Sequence, residues 1–262
     1  MARLTQVYRR ANCHSFRSED RHRVSVTANT ADWVILVTIT VFEKSERPLY
    51  GLFGPGGFGR PVMPILIDDV RSRHGLDADV VFVADEPPLS SQVNGVQVMS
   101  TEAFLNASRK TVYFNVALAD PHARKAVCER FLASGLKPIS IISPEVSILG
   151  PAEIGDGAII CGFCTITTNV RIGNFFHANI YSYVEHDCVI GNYVTFAPRV
   201  SCNGNIFIGD LAYVGAAAVI RQGNDSGPVQ IGKGAIVGMG AVVLKSVPDD
   251  DVVAGNPAKS IR

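Results

Sequence analysis

The chain has 262 residues, in which 24 Lys and Arg are balanced by 24 Asp and Glu, 47% are hydrophobic and only 18% are charged. That balance argues against a protein that holds nucleic acid by its phosphates, because such binding needs a clear cationic excess. The apolar share is too high for general disorder, and the 24 glycines and 14 prolines amount to about half the level of low-complexity sequence.

In chain order, residues 1–47 come first, punctuated by Arg3, Arg9, Arg10, Arg17, Arg21 and Arg23. They show no sustained helical or strand period and read as an extension without fixed structure. A basic arm toward an anionic partner, or residues ahead of the true start, are the other readings. Trp33 to Phe42 is an uncharged run of ten residues, half of the roughly 20 that a spanning helix needs, so no membrane insertion is expected. The six cysteines are scattered through a chain large enough to need no staples, and they read as reduced thiols of a cytoplasmic protein.

Ordered structure is expected from Pro48. Leu49–Phe53 reads as a buried strand, and Gly54-Pro55-Gly56-Gly57-Phe58-Gly59 follows it. Residues 60–73 carry Val62, Ile65, Leu66 and Val70 at helical spacing. Asp79–Ala84 is a second strand that ends in Asp85-Glu86. Thr101 is placed as the cap of a short helix, Thr111–Leu118 is a third strand, and Asp120 caps a helix that runs to about Ser134. Gly135 ends that helix, and Pro138–Ile142 is a fourth strand. Strands alternating with helices predict a small parallel α/β domain of Rossmann-like type over residues 48–143.

After Pro144 the period changes. Every sixth residue from Ile148 to Ile220 is apolar, and the positions four residues later, Ala152 to Ala218, are mostly small or aliphatic. Ile-Gly pairs recur at 154, 172, 190 and 208, and the next stands at 231. Such a period predicts a solenoid over residues 144–262. Six-residue units each supply a short strand and a corner, and three units close one coil. Glycine and asparagine are expected at the corners, where positive φ is needed. The five surplus residues fall in 221–228 and read as a loop thrown out from one corner.

His186 stands at a corner between Glu185 and Asp187. A neutral imidazole with a pKa near 6.5 suits removal of a proton from an attacking amine or alcohol, and a carboxylate on its other nitrogen would fix the tautomer. A surface histidine between two acids is the bland alternative. Gly54, Gly56 and Gly59 match G-x-G-x-x-G between strand and helix, with Asp85-Glu86 where a ribose-binding acid would stand, which leaves a nicotinamide-dependent oxidoreductase open. Against it stands a solenoid where a second catalytic α/β domain would be. A non-catalytic β-helix scaffold is a further reading. Cys161 and Cys164 have redox or zinc spacing, but Cys164 and Cys188 fall on inward positions of the repeat, and no second pair completes a metal site; no metal is expected. His74, His122 and His177 are read as structural or surface residues.

On the glycine turn, the hexapeptide array, the stretch Val184-Glu185-His186-Asp187-Cys188-Val189-Ile190-Gly191 and the ending Ala254-Gly255-Asn256-Pro257-Ala258-Lys259, residues 48–262 resemble the sugar acyltransferases of the sialic acid O-acetyltransferase (NeuD) type, which include the nucleotide-aminosugar N-acetyltransferases of the PglD type. The resemblance implies a left-handed parallel β-helix, a homotrimer, acetyl-CoA as co-substrate and a nucleotide-sugar acceptor, with a sialic acid or sugar O-acetyltransferase as the alternative. It implies His186 as general base and Asp187 as the acid beside it. Acetyl-CoA contacts are implied at Thr195, where several relatives have a second histidine, and at Gly204, Gly215 and Ala216. Pro198-Arg199 replaces a more usual glycine-containing corner. The acceptor is implied at Gly56, Gly57, Phe58, Asp85, Glu86 and Ala119, the last replacing a family glycine.

Overall fold

The computed structural model describes residues 47–261 together with the backbone of 22–30 and 33–41. The chain divides into two compact units, residues 1–46 and 47–262. Within the first, β1 (His22–Thr30) pairs antiparallel with β2 (Trp33–Val41). Of the rest of the expected extension, residues 1–47, only Arg47 is described, and it pairs with Asp79 at 3.1 Å.

The second unit begins with β3 (Leu49–Phe53), α1 (Gly59–His74) and β4 (Asp79–Ala84). β5 (Gln92–Val93) and β6 (Val96–Ser100) follow, then α2 (Thr101–Leu105), β7 (Val112–Val116), α3 (Pro121–Ala133) and β8 (Lys137–Pro138). The sheet order is β5-β6-β4-β3-β7-β8, parallel throughout except for the β5–β6 hairpin. That hairpin was not expected, although Asn94-Gly95, at φ 50° and 79°, is the dipeptide a tight hairpin turn favours. Val62, Met63, Leu66 and Val70 of α1 cover the sheet face that carries Tyr50 and Leu52. Cys128 and Phe131 of α3 join Leu49, Phe53 and Phe114 on the other face. Sequential strands thus lie on both sides of β3, which opens a crevice at their C-terminal edge.

Two expected boundaries shift. The short helix is capped by Ser100, whose hydroxyl accepts from the Ala103 amide, while Thr101 is buried inside its first turn. The expected fourth strand divides. Lys137–Pro138 pairs with β7, but Ile141–Ile142 pairs with Ile159–Ile160 in the repeat region. The ladder with β7 runs as far as Ile139, whose amide donates to Phe114 O at 3.0 Å, and the buried Asn115 side-chain amide donates to the carbonyls of Ile139 and Gly157, tying the two regions together.

From Ser147 onward short strands stack in three parallel sheets. Partners lie eighteen residues apart, as in Ile166↔Val184↔Cys202↔Ile220, so each circuit of the chain is one coil. Every stepped position from Ile160 to Ile220 is buried, with its companions from Ala158 to Ala218. Full burial of one such aliphatic side chain contributes about 1.5–3 kcal/mol, and the stack repeats it at every side. The coil after Ile208 pairs with Ile231, so the surplus residues leave the ladder as the expected loop, closed by paired amides between Asn224 and Gly227.

The corners follow expectation only in part, with glycine or asparagine at positive φ at Gly157, Asn169, Asn205, Gly234 and Gly240. Positive φ occurs every sixth residue from Phe163 to Ala217, at Phe163, Asn169, Phe175, Tyr181, Asp187, Tyr193, Arg199, Asn205, Leu211 and Ala217. Side chains of every kind occupy it, because neighbouring coils hold each corner in place from above and below. The recurrent glycines serve closeness instead: a Cβ on Gly191 would stand 2.6 Å from the Asp210 amide nitrogen. At the C-terminal end the chain turns back, with Val252–Ala254 pairing antiparallel with Lys259–Ser260.

Candidate active site

His186 lies at the corner formed by Asn169, Asp187 and Asn205 on successive coils. Its Nδ1 is 2.8 Å from Asp187 Oδ2, and both side chains are half exposed. The second carboxylate oxygen of Asp187 accepts from Asn169 Nδ2 at 3.2 Å. The hydrogen bond to Asp187 raises the His186 pKa above 6.5, and the bonds from His186 and Asn169 lower that of Asp187. Nδ1 is therefore the protonated nitrogen of the neutral ring, which leaves Nε2 with a lone pair as the basic atom. Glu185 adds a weaker contribution in the same direction. Asn169 was missed in the sequence, although it stands one coil period before Asp187.

Gly204 is the coil neighbour of His186. A Cβ there would lie 2.4 Å from His186 Nε2, so the absence of a side chain lets the ring lie against the next coil. Its amide takes no part in the backbone ladder, whereas its carbonyl accepts from Gly223. Asn205 donates to the carbonyls of His186 and, through its side chain, Asn224. The loop 221–228 therefore emerges at the corner that bears His186. Gly215 differs from expectation, because its amide is bonded to Val237 O at 2.7 Å. The neighbouring amide of half-buried Ala216 lies outside that ladder.

Thr195 is buried, and its hydroxyl donates to Ala119 O at 2.8 Å and accepts from Arg124 at 2.9 Å. It sits in a seam between the α/β module and the β-helix, engaged by protein groups rather than open toward an acetyl group. Arg199, at φ 63°, lies 5.9 Å above the Tyr181 ring.

The expected acceptor residues gather at the crevice edge. Gly56 and Gly57 are exposed, with no atom within 4 Å of where a Cβ would stand. Gly54 donates to Val83 O, tying the turn to β4. Phe58 packs its ring 5.2 Å from that of His177 in the β-helix. Asp85 and Glu86 are exposed at the tip of β4, and Asp85 pairs with Arg130 of α3 at 2.9 Å. A cavity of about 660 Å³ opens there, lined by Asp85, Ser100, Glu102, Asn106, Arg130 and Ser134. Sequence reasoning missed Arg130, which stands 45 residues from Asp85 with no local motif to announce it. Ala119 contributes its carbonyl to the Thr195 seam.

The remaining candidates have other places. Cys161 and Cys164 are buried, and burial pushes their thiols up to about 12 and about 11. His74 shares a hydrogen bond with the Tyr50 hydroxyl, and His177 is buried. Among the described residues no helix is long and apolar enough to cross a membrane.

Coils of hexapeptides joined to a parallel α/β module, with an exposed histidine–carboxylate pair at one corner, are the build of a β-helical acyltransferase. No family model matches the chain. It is 51% identical over 214 residues to the GDP-perosamine N-acetyltransferase of Escherichia coli O157:H7, a match covering 82% of this chain and 96% of that relative. Among solved structures it is similar to WeeI from Acinetobacter baumannii AYE, at 42% identity and a TM-score of 0.76, over 82% of this chain and all of that one. The acetyltransferase domain of PglB from Neisseria gonorrhoeae FA1090, in complex with acetyl coenzyme A, matches the same share of this chain at 27% identity and a TM-score of 0.69. The chain belongs to the hexapeptide-repeat sugar acyltransferases, and its stacked sheets fit the left-handed β-helix of that family.

Proposed function

We propose that the protein transfers acetyl from acetyl-CoA to the amine of a nucleotide-linked amino sugar, in the cytoplasmic synthesis of a polysaccharide or glycan. The observation that carries this reading is the exposed His186–Asp187 pair, whose ring leaves Nε2 as the basic atom. The amine attacks the thioester carbon, Nε2 of His186 takes the proton the nitrogen loses, and the thiolate of CoA leaves to be protonated. Asp187 steadies the imidazolium as it forms. The amide of Gly204, beside that ring, and that of Ala216 are assigned to the acetyl-CoA side.

The acceptor is assigned to the Rossmann-like module, residues 48–143. The glycine turn offers backbone to phosphates, and Asp85-Glu86 offers carboxylates to hydroxyl and amide donors. Exposed apolar side chains on the coils, including the stacked pair Phe163 and Tyr181, support a homotrimer in which one copy covers another. Light scattering at micromolar concentration should give three times the chain mass; a monomer would count against it.

The decisive assay follows free thiol release from acetyl-CoA with GDP-perosamine, other nucleotide amino sugars and free sialic acid as acceptors. Turnover is expected with nucleotide-linked amines and not with free sialic acid. Equal turnover of the two classes would move the assignment to O-acetylation.

A further inference from the structure

Arg124 lies within α3 and is fully buried. No carboxylate pairs with it among the described residues. Nη1 donates to Leu118 O at 2.7 Å, to Ala119 O at 3.4 Å and to Thr195 Oγ1 at 2.9 Å, and Nη2 to Tyr193 O at 2.6 Å. Thr195 closes the figure by donating to Ala119 O. Its acceptors thus come from two places, the loop after β7 and the β-helix. A guanidinium taken out of water is expensive to keep, and an apolar side chain of similar volume would fill the same space more cheaply. What an apolar residue could not do is gather oxygens from both modules around one planar group.

The loop so held is the floor of the glycine turn. Ala117 donates to Phe53 O at 2.8 Å. Its carbonyl oxygen lies 3.1 Å from where a Cβ of Gly54 would stand, and its own Cβ 3.5 Å from that of Gly59. On the other side of the seam, Thr195 belongs to the same circuit of chain as His186. His177, paired with Thr195 in the ladder, packs against Phe58 of the turn. Burial, and then the nearby Arg124 charge, push the His177 pKa well below its ordinary value.

We infer that Arg124 is a positioning residue: through the 117–119 loop it sets the acceptor turn at a fixed place relative to the coil that bears His186, without touching either substrate. The inference rests on the reading that the turn receives the nucleotide sugar.

The test uses Arg124→Lys, which keeps the charge but cannot span the four oxygens, and Thr195→Val, which removes only the hydroxyl. In Arg124→Lys, KM for the nucleotide amino sugar should rise about tenfold or more, with KM for acetyl-CoA and the pH profile of kcat held within about twofold. Amide hydrogen exchange should quicken at 54–59 and 117–120 and stay unchanged at 186–190. Thr195→Val should move the same quantities less, and it carries the test if Arg124→Lys does not fold. Parallel rises in both KM values with a lowered Tm, or unchanged exchange in the two loops, would overturn the inference. A wild-type enzyme that ignores every nucleotide-linked amine would instead remove the acceptor reading, while loop exchange would still judge the seam.

Discussion

Two corners of the same coils make an instructive pair. At one, Asn169, Asp187 and Asn205 succeed one another at φ 59°, 59° and 54°; at the next, Phe175, Tyr193 and Leu211 do so at 55°, 57° and 64°. The backbones are alike, yet the first corner carries the exposed His186–Asp187 pair. The second is packed into the α/β module, with the Phe175 ring 5.1 Å from Tyr193 and 6.2 Å from Phe114. Corner geometry is therefore common property of the coil, and the side chains alone decide whether a corner performs chemistry or binds a neighbouring layer.

The sharpest way to break this contrast is His186→Ala. It should lower kcat by about 10²–10⁴, the usual contribution of a general base, with an unchanged Tm because the ring is half exposed. Near-native kcat at saturating substrates would remove histidine from the mechanism. Phe175→Ala should do the reverse. Truncating a buried ring costs about 3–5 kcal/mol, and thermal melting should register about 2–4 °C for each of these. An unchanged Tm would mean that the second corner does not hold the module.

Gly204→Ala probes how the reactive corner depends on the coil beside it. The added methyl would displace the His186 ring, an exposed group that can swing away, so Tm should stay close to the wild type. Misplacing the base should still lower kcat by about 10²-fold. A fully active Gly204→Ala enzyme would show that the ring has no fixed seat.

The smallest expected effect is on pH dependence. Activity requires neutral His186, so the rate rises as pH increases through its raised pKa. Asp187→Asn keeps a residue tolerant of positive φ and removes the carboxylate charge from the hydrogen bond that raises that pKa. The acid limb of the kcat profile should then move to lower pH, with a reduced plateau. An unmoved limb would show that Asp187 does not set the basicity of His186.

Much of this was legible because a repeat states its rule many times. The six-residue step located the inward positions, the loop and the corner of His186. Asn169 was legible too, since counting one period back from Asp187 finds it. The corner conformations were not, because Phe163 or Leu211 at positive φ contradicts local preference and is imposed by neighbouring coils. The Ile-Gly glycines misled for the same reason: a close approach between coils leaves the same residue behind as a turn does. The Arg124–Thr195 bond joins residues 71 apart across two modules, and no periodicity links them. Thr195 accordingly read as a substitute ligand for acetyl-CoA, and the structure gives its hydroxyl to the seam.

The C-terminal turn has a consequence for how such a stack can grow. A column of parallel strands presents unpaired amides and carbonyls at its end, an invitation to another chain. Here Val247 bridges to Ile231, and Gly255 and Ala258 bond to Val242; the third sheet ends in Lys259–Ser260, an exposed two-residue strand that runs antiparallel along Val253–Ala254. A further parallel coil therefore finds no ready ladder at that end: two of the sheets are bonded across by the chain, and the third stops in a short antiparallel edge.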